Sequence, residues 1–397
     1  MAFKLFNFNK QITTPIETPK SNYGDMLDSV MSLSIQTSLP RITESRNNEW
    51  VDYGSDNNYP KYLEDLYSNS PTHQAIVDTK SLVVAGDGFT FDDSKLTEEQ
   101  KTILNQLLYY IDGRNDIETF INDISKDFEL YGAISLEIIW SLDFTRIVKI
   151  TRISPKHIRS GKFEDGHINH YFYSRNWMDR REERTKISAF DITNKEDARQ
   201  LIYMPVQMVS NEYYGEPQYL AGNNWIDLEA QTGLYYKSLL DNGFNPSVIV
   251  KFYRRPGNQE EKDNIVSGLK QTFGGVKNSG KAMVMFSDGK DLSPDVTPID
   301  VSNIDKQFTV IADQITTKIL TAHRVTTPEL FGIAIPGKLG SADFATQVEA
   351  FQKFVITPNQ KVINNLINKI LRINGLDVNF KITPFELTAN SNNQTNQ

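Results

Sequence analysis

An α+β fold is the expectation, and three features of the sequence carry it. Two amphipathic helical stretches frame an apolar, glycine-rich loop between Val301 and Leu371. Upstream of Gly215, apolar residues at three- and four-residue spacing give way to strand-like runs. The hydrophobic content, 39% of 397 residues, is enough for a sizeable core, and the length suits two or three domains.

Residues up to about Asn48 are rich in Ser, Thr, Asn and Pro and read as an arm, with one short helix around Gly24 to Leu33. Helical spacing begins at Tyr59. Leu63, Leu66 and Tyr67 form one stripe, and Ala75, Ile76, Thr79 and Val83 another, closed by Gly86-Asp87-Gly88. Helices around Glu98 to Ile111 and Ile117 to Tyr131 follow, the second with Phe120, Ile124, Phe128 and Tyr131 on one face. Gly132 to Trp140, Arg146 to Ile153, His167 to Trp177 and Leu201 to Met204 read as strands. A helix from Asn223 to Leu240, another from Gln259 to Phe273 and a strand from Ala282 to Phe286 complete the middle of the chain.

In the last third, Ile304, Phe308, Ile311, Ile315, Ile319 and Ala322 recur on one helical face, with Ser302 as N-cap and Asp305 in the first turn. Regularity must stop at Thr327-Pro328, because proline disfavours the helical conformation in the residue before it. The stretch Phe331-Gly332-Ile333-Ala334-Ile335-Pro336-Gly337-Lys338-Leu339-Gly340 holds three glycines, one proline, one lysine and no acid. It is poorly suited to hydration as a surface loop, so it should pack against something or line something. A second helix from about Ser341 carries Phe344, Val348, Phe351, Val355, Val362, Ile363, Leu366 and Ile370 inward. At 1.5 Å per residue it would extend about 45 Å. Pro358 removes a backbone hydrogen bond in its middle, so a kink is expected there. Leu376 to Ile382 reads as a strand, and the Asn/Thr/Gln-rich end as a disordered tail.

The formal charge of -8 gives the chain no basic footprint for gripping nucleic acid. A surface that lets a polyanion slide should not hold it tightly, so passing DNA stays compatible. Cysteine is absent, which fits a reducing cytoplasm. The start, Met1-Ala2-Phe3-Lys4-Leu5-Phe6, lacks an apolar run of signal-peptide length. No later run approaches the roughly 18 residues that span a bilayer. A soluble product without membrane contact is expected.

Four patterns mimic chemistry. Gly275-Val276-Lys277-Asn278-Ser279-Gly280-Lys281 has P-loop spacing, but Ala282 stands where Ser or Thr would reach magnesium, and helix precedes strand where a P-loop needs the reverse. His157, His167 and His170 beside Asp165 match no tight metal spacing. The run Arg175 to Lys186 mixes signs, as a solvated face or an intersubunit salt-bridge rim does. Asp92-Asp93 lies in a polar loop and Glu98-Glu99 in a helix's first turn, where acids favour the helix dipole. No nucleophile, base and orienting group form a constellation, so neither catalysis nor a cofactor is expected.

From Asn211 onward the chain resembles a known family. Tyr214-Gly215-Glu216-Pro217-Gln218-Tyr219, a helix, and then Asn242-Gly243-Phe244-Asn245-Pro246 are similar to the Tyr-Gly-x-Pro-x-Tyr segment, helix and Asn-Gly-x-x-Pro turn of portal proteins of tailed double-stranded DNA bacteriophages. Gly280-Lys281 before a strand and Asp305-x-Gln307-Phe308 follow in the same order. The sharpest match is Ala322-His323-Arg324-Val325 with Pro328-Glu329-Leu330-Phe331-Gly332, and Phe351 to Pro358, Gln360 and the apolar run to Leu371 complete it. Two features depart from the pattern: Thr326-Thr327 replaces a proline common in the family, and the tail after Leu371 is short, implying a minimal crown.

The resemblance implies a ring, usually of twelve copies, around a channel for double-stranded DNA at one capsid vertex of the virion, assembled in the host cytoplasm. Its implied partners are the major capsid protein, the packaging terminase and neck or adaptor proteins. It divides the chain into an arm (1–48), wing (49–221), stem helix (222–243), clip (244–300), second stem helix (301–327), tunnel loop (328–340), kinked helix with wing return and short crown (341–385), and tail (386–397). Gly332, Ile333, Ala334, Ile335, Pro336, Gly337, Lys338, Leu339 and Gly340 would line the constriction, with Lys338 facing DNA and Pro358 kinking the helix behind them. The alternatives are another virion structural protein, such as a minor capsid or neck component, and a nucleotide-binding enzyme built on Gly275 to Lys281.

Overall fold

The computed structural model describes residues 40–109, 111, 116–241, 248–252, 258–261, 263–265, 267, 283–286, 295–298, 304–326, 328–333 and 344–385. Two short strands, β1 (Ile42–Glu44) and β2 (Val51–Tyr53), open this part of the chain. Helices α1 (Tyr59–Asn69) and α2 (Pro71–Ala85), strand β3 (Phe89–Thr90), and helices α3 (Glu98–Tyr109) and α4 (Ile117–Tyr131) follow. Then come β4 (Ala133–Trp140), β5 (Ile147–Arg152), β6 (Ile158–Ser160), β7 (Phe163–Glu164), β8 (His167–Ile168), β9 (His170–Tyr173), β10 (Thr185–Ala189) and β11 (Arg199–Pro205). Helix α5 (Asn223–Asp241) leads to β12 (Val248–Phe252), β13 (Met283–Phe286) and β14 (Asp295–Pro298). The chain continues through α6 (Ile304–Ala322), α7 (Phe344–Phe351), α8 (Thr357–Ile373) and β15 (Lys381–Ile382).

Helix α4 shows why the local sequence folds as it does. Asp116 caps it by accepting the Thr119 N–H at 2.8 Å, and Glu118 sits in the first turn against the dipole. Gly132, at φ +71°, ends it in the left-handed conformation. Phe120, Ile124, Phe128 and Tyr131 are all buried, as their spacing requires. The chain then enters β4, a largely buried apolar run that lies inside a six-stranded sheet ordered β5-β4-β11-β10-β9-β6. Only β10 and β11 run parallel; the other neighbours are antiparallel. A separate three-stranded sheet, β13-β12-β14, lies between α5 and α6 in sequence.

Several expectations are corrected. Ile42–Glu44, assigned to a loose arm, pairs antiparallel with β2. The buried face of α2 is not the Ala75, Ile76, Thr79, Val83 stripe. It consists of His73, Ile76, Val77, Lys80, Ser81 and Val84, because distant partners satisfy His73 and Lys80. The single strand expected over His167 to Trp177 is two, so His167 and His170 belong to different strands. The charged run Arg175 to Lys186 is mostly exposed, as a solvated face is. Arg184 is half-buried, folding over the Trp177 ring at 4.9 Å and donating to Ser174 Oγ at 2.9 Å. The proposed helix at Gly24 to Leu33, the Ser302 cap and the stretch Gly275 to Lys281 lie outside the described residues.

The C-terminal segment returns to β3. Leu376, Val378, Phe380 and Ile382 are buried at period two, although only Lys381–Ile382 joins a ladder, opposite β3. Asn368 clamps Phe380 by donating to its carbonyl at 2.8 Å and accepting its N–H at 2.9 Å. Asn374 does the same for Ile147, at 3.0 and 2.7 Å.

One close approach holds the segment after β11 against the end of α4. A Cβ on Gly215 would lie 2.1 Å from the Gly132 carbonyl oxygen, and one on Gly132 would lie 2.2 Å from the Glu216 carbonyl carbon. Both contacts are with backbone, which cannot swing aside. Gly215→Ala is therefore expected to cost about 2–4 kcal/mol of stability, as backbone clashes do. Chemical denaturation of the purified protein checks this; a loss below about 0.5 kcal/mol, typical of a neutral surface change, would contradict it.

Candidate functional site

The apolar loop is best understood from its two roots. Helix α6 does not run to Thr327. It stops at Ala322 because the chain closes a Schellman turn: Val325 N–H bonds the Leu320 carbonyl at 2.9 Å, Arg324 N–H bonds Thr321 at 3.0 Å, and Arg324 is left-handed at φ +58°. A 3-10 turn over Pro328–Phe331 follows, and the Ile333 N–H returns to the Pro328 carbonyl at 3.1 Å. On the far side, α7 and α8 form one long helical run interrupted by a π turn, Gln352–Ile356. That turn directly precedes Pro358, so the disturbance expected from the missing proline N–H takes the form of a widened turn.

The two roots touch. Phe331 meets Phe351 edge-on, with ring centroids 5.5 Å apart, and Thr326 Oγ1 donates to the Gln347 carbonyl at 3.2 Å. The described segments that flank residues 334–343 are therefore in contact with each other. Gly332 is exposed with φ +70°, and Ile333 is half-buried. Ala334, Ile335, Pro336, Gly337, Lys338, Leu339 and Gly340 lie outside the described residues.

Beneath the first root lies a polar junction assembled from distant segments. His323 Nε2 is 2.8 Å from His73 Nδ1 on α2, and Tyr219 stacks on His323 at 4.9 Å while meeting His73 edge-on at 4.5 Å. Burial pushes the His73 imidazole down to about 3. Burial also drives His323 well below the ordinary range, helped by His73 and by the positive charge of Lys80. Both rings are thus neutral at pH 7 and share one hydrogen. Lys80 Nζ pairs with Glu129 Oε2 at 2.7 Å, the two side chains 1% and 2% exposed. Glu129 Oε1 accepts from Asn359 Nδ2 at 2.8 Å, Asn359 Oδ1 accepts from Gln218 Nε2 at 3.2 Å, and Gln218 Oε1 faces Lys80 Nζ at 3.5 Å. The ring joins α2, α4, the Tyr214 to Tyr219 segment and α8.

The same segment supplies further anchors. Tyr214 stacks on Tyr53 at 3.9 Å and donates to the Val51 carbonyl, and Glu216 is buried, accepting the Ser210 N–H at 2.8 Å. Tyr219 donates to the Leu130 carbonyl at 2.7 Å. On the other side of Tyr53, the fully buried Arg159 donates to Asn57 through Nε and Nη2, each at 2.6 Å, and lies 4.7 Å from the Trp177 ring. Burial lowers its pKa to about 10, which leaves it charged.

The order of these segments and their geometry meet in one comparison: the family model described as "Phage portal protein" matches residues 91–397. The chain belongs to the phage portal protein family. This family is structural, and membership gives the chain a structural portal role at the capsid vertex. No curated protein sequence matches the chain. Among solved structures, this portal is similar to a chain in the neck of an empty gene transfer agent particle computed with C6 symmetry. The TM-score is 0.56 at 18% identity over 83% of this chain and 85% of that one. A chain from the native particle's virion gives 0.54 at 16% identity over 91% and 89%. One from its neck computed with C12 symmetry gives 0.54 at 17% over 87% of each. At these identities the likeness is one of fold.

The other sequence-derived candidates are dispersed in the portal. His157 Nδ1 lies 3.1 Å from the Ser174 carbonyl, and among the described residues no group of three or more His, Asp or Glu is placed to hold a metal ion. No helix among the described residues is long and apolar enough to cross a membrane. Sequence spacing missed His73, Lys80, Glu129 and Asn359, which read as ordinary polar positions. The one usable signal was their location on helices otherwise rich in apolar residues.

The histidine pair makes stability depend on pH with a definite sign. The folded pKa of each ring lies below the unfolded value near 6.5, so the unfolded chain binds more protons between the two. Stability from this pair is fully present above about pH 6.5 and falls as pH drops toward 3, by at most about 1.4 kcal/mol per pH unit for each ring. His73→Phe should flatten that fall by about one proton's worth of slope. Urea unfolding across pH 4 to 7.5 reads the difference; identical slopes in both proteins would contradict it.

Proposed function

We propose that this chain forms a closed ring, of twelve copies in the particle, whose channel passes double-stranded DNA during packaging and ejection. Helices α5 and α6 are the stem, the segment 244–300 with its β13-β12-β14 sheet is the clip, residues 49–221 form most of the wing, and residues 328–340 are the tunnel loop. The long run through Pro358 to residue 385 is the kinked helix with its wing return. The ring meets the major capsid protein through the wing, and the terminase and then the neck proteins through the clip. Its place is the virion, after assembly in the host cytoplasm.

The observation that carries this reading is the pinning of the loop. Phe331 lies against Phe351 and Thr326 is bonded to Gln347, so the segments on either side of the loop are held to each other. A twelve-fold repeat of such apolar excursions would pack into a collar, each adding one Lys338 as a sparse, exchangeable phosphate contact. The stem adds support. A Cβ on Gly222 would lie 2.5 Å from Ala322 Cβ, so the turn just before α5 packs tightly on the end of α6. Farther along, residues 310–314 of α6 are exposed in unbroken succession, including Val310 at 58%, and Leu234 of α5 is 62% exposed. Apolar side chains exposed on both helices need neighbours, and adjacent copies in a ring supply them.

Negative-stain microscopy of the purified protein, or of particles if assembly needs capsid protein, should show a ring with a hole wide enough for duplex DNA. Val310→Asp should leave the fold intact and reduce ring yield severalfold, read by light scattering and microscopy. Lys338→Glu should form rings but package or retain less DNA; unchanged packaging would end the assignment of Lys338 to the channel surface.

A further inference from the structure

Helix α2 grips the elements on both sides of the loop through side chains. At its N-terminus, Ser70 caps the helix by accepting the His73 N–H at 3.2 Å and donates its hydroxyl to Glu229 of α5. Thr72 Oγ1 donates to the same carboxylate at 2.5 Å. This places an acid from α5 on the positive end of α2. One turn in, His73 meets His323 at the end of α6. In the middle, Lys80 closes the ring through Glu129, Asn359 and Gln218. At the C-terminus, where helix carbonyls lack partners, the Val84 carbonyl accepts from Gln360 Nε2 of α8 at 3.2 Å. A rod of fifteen residues, about 21 Å long, therefore spans from the helices before the loop to the helix after it.

We propose that α2 is the strut that sets the loop's two roots relative to each other, and that the His73–His323 contact is the latch holding the α6 root to it. His73 and His323 are positioning residues in this role: both are buried, and they fix the turn at the end of α6. The chemistry of the pair suits a latch. One hydrogen is shared between Nδ1 and Nε2, so the contact depends on a single proton and a single tautomer. His73 Nε2 is buried without a hydrogen-bond partner. The tautomer that donates from Nδ1 leaves that nitrogen a bare acceptor, which is tolerated better than a buried N–H with nowhere to go. The link is therefore directional and only partly satisfied, unlike the closed Lys80 ring beside it. Losing it should loosen the Schellman turn at Arg324 and the 3-10 turn after it without opening the core.

The inference rests on the portal reading only for what the loop does; the latch itself is tested locally. Hydrogen–deuterium exchange on the full-length protein, as rings where they form, compares wild type with His73→Phe, which keeps an aromatic ring beside Tyr219 and removes the donor. Amides of residues 323–333 should exchange about tenfold faster, the weight of one buried hydrogen bond, while those of α4 and β4 keep their rates. His73→Asn places an N–H donor at the position of Nδ1 and should restore protection. If His73→Phe does not fold, His323→Gln and His323→Phe make the same comparison from the other side, with Gln offering an acceptor at the position of Nε2. Unchanged exchange at residues 323–333, uniform acceleration, or no rescue by the isosteric amide overturns the latch. Ring formation is scored separately, so a ring with latch-independent exchange refutes the strut alone, and latch-dependent exchange with no ring in the purified protein or in particles refutes the portal assembly alone.

Discussion

Neither Lys80 nor Glu129 could be buried without the other, and the rest of the architecture is arranged to let both stay inside. A lone ammonium or carboxylate at that depth would carry an uncompensated desolvation cost of several kcal/mol. The pair offsets this only because Asn359 and Gln218 complete its hydrogen bonding. Those two residues come from opposite ends of the chain's second half. The ion pair is satisfied only when α2, α4, the Tyr214 to Tyr219 segment and α8 have all arrived. Such an arrangement adds little net stability over an apolar core. What it contributes is a unique register among four elements that apolar packing alone would leave free to slide.

The approach of Gly132 and Gly215 serves the same end by steric means. Without side chains, the end of α4 and the segment after β11 lie backbone against backbone, which brings Gln218 and Tyr219 to the polar junction. Tyr219 then separates the histidine pair from the Leu130 carbonyl it bonds, and the start of α5 is placed against the end of α6 at Gly222 and Ala322. The loop's first root is thus a consequence of contacts made nearly two hundred residues earlier in the chain. Its second root depends on Pro358 only indirectly, since the π turn ahead of the proline determines where Phe351 points relative to Phe331.

Much of the frame was legible from spacing alone. Ile117–Tyr131 was readable to the residue, because Asp116, a four-residue aromatic and aliphatic stripe, and Gly132 are all local signals. The strands β4, β5 and β11 were readable because β4 is a largely buried apolar run and the other two hold Ile-Val and Leu-Ile-Tyr-Met stretches between polar residues. The short strands β6 and β10 were not, since Ile158–Ser160 and Thr185–Ala189 owe their conformation to β9 between them. The buried face of α2 was misjudged for a related reason. Periodicity ranks His73 and Lys80 as surface residues, and only partners as far away as His323 and Glu129 make their burial affordable.

The sequence by itself determined the kind of protein: the ordered motifs from Tyr214 to Gln360 resemble those of portal proteins, and the family model matches residues 91–397 without any coordinates. Local chemistry also determined both limits of α2 and α4, where Ser70 and Asp116 cap one end and Gly86 and Gly132 close the other. Tertiary structure alone decided where α6 ends, since a left-handed Arg324 is unfavourable in isolation and persists because His323 beside it is locked against His73 and Tyr219. It also decided that the loop's two ends meet. Closure of that kind is a property of distances between elements, and a linear pattern of residues carries no distances beyond a helical turn or a strand pair.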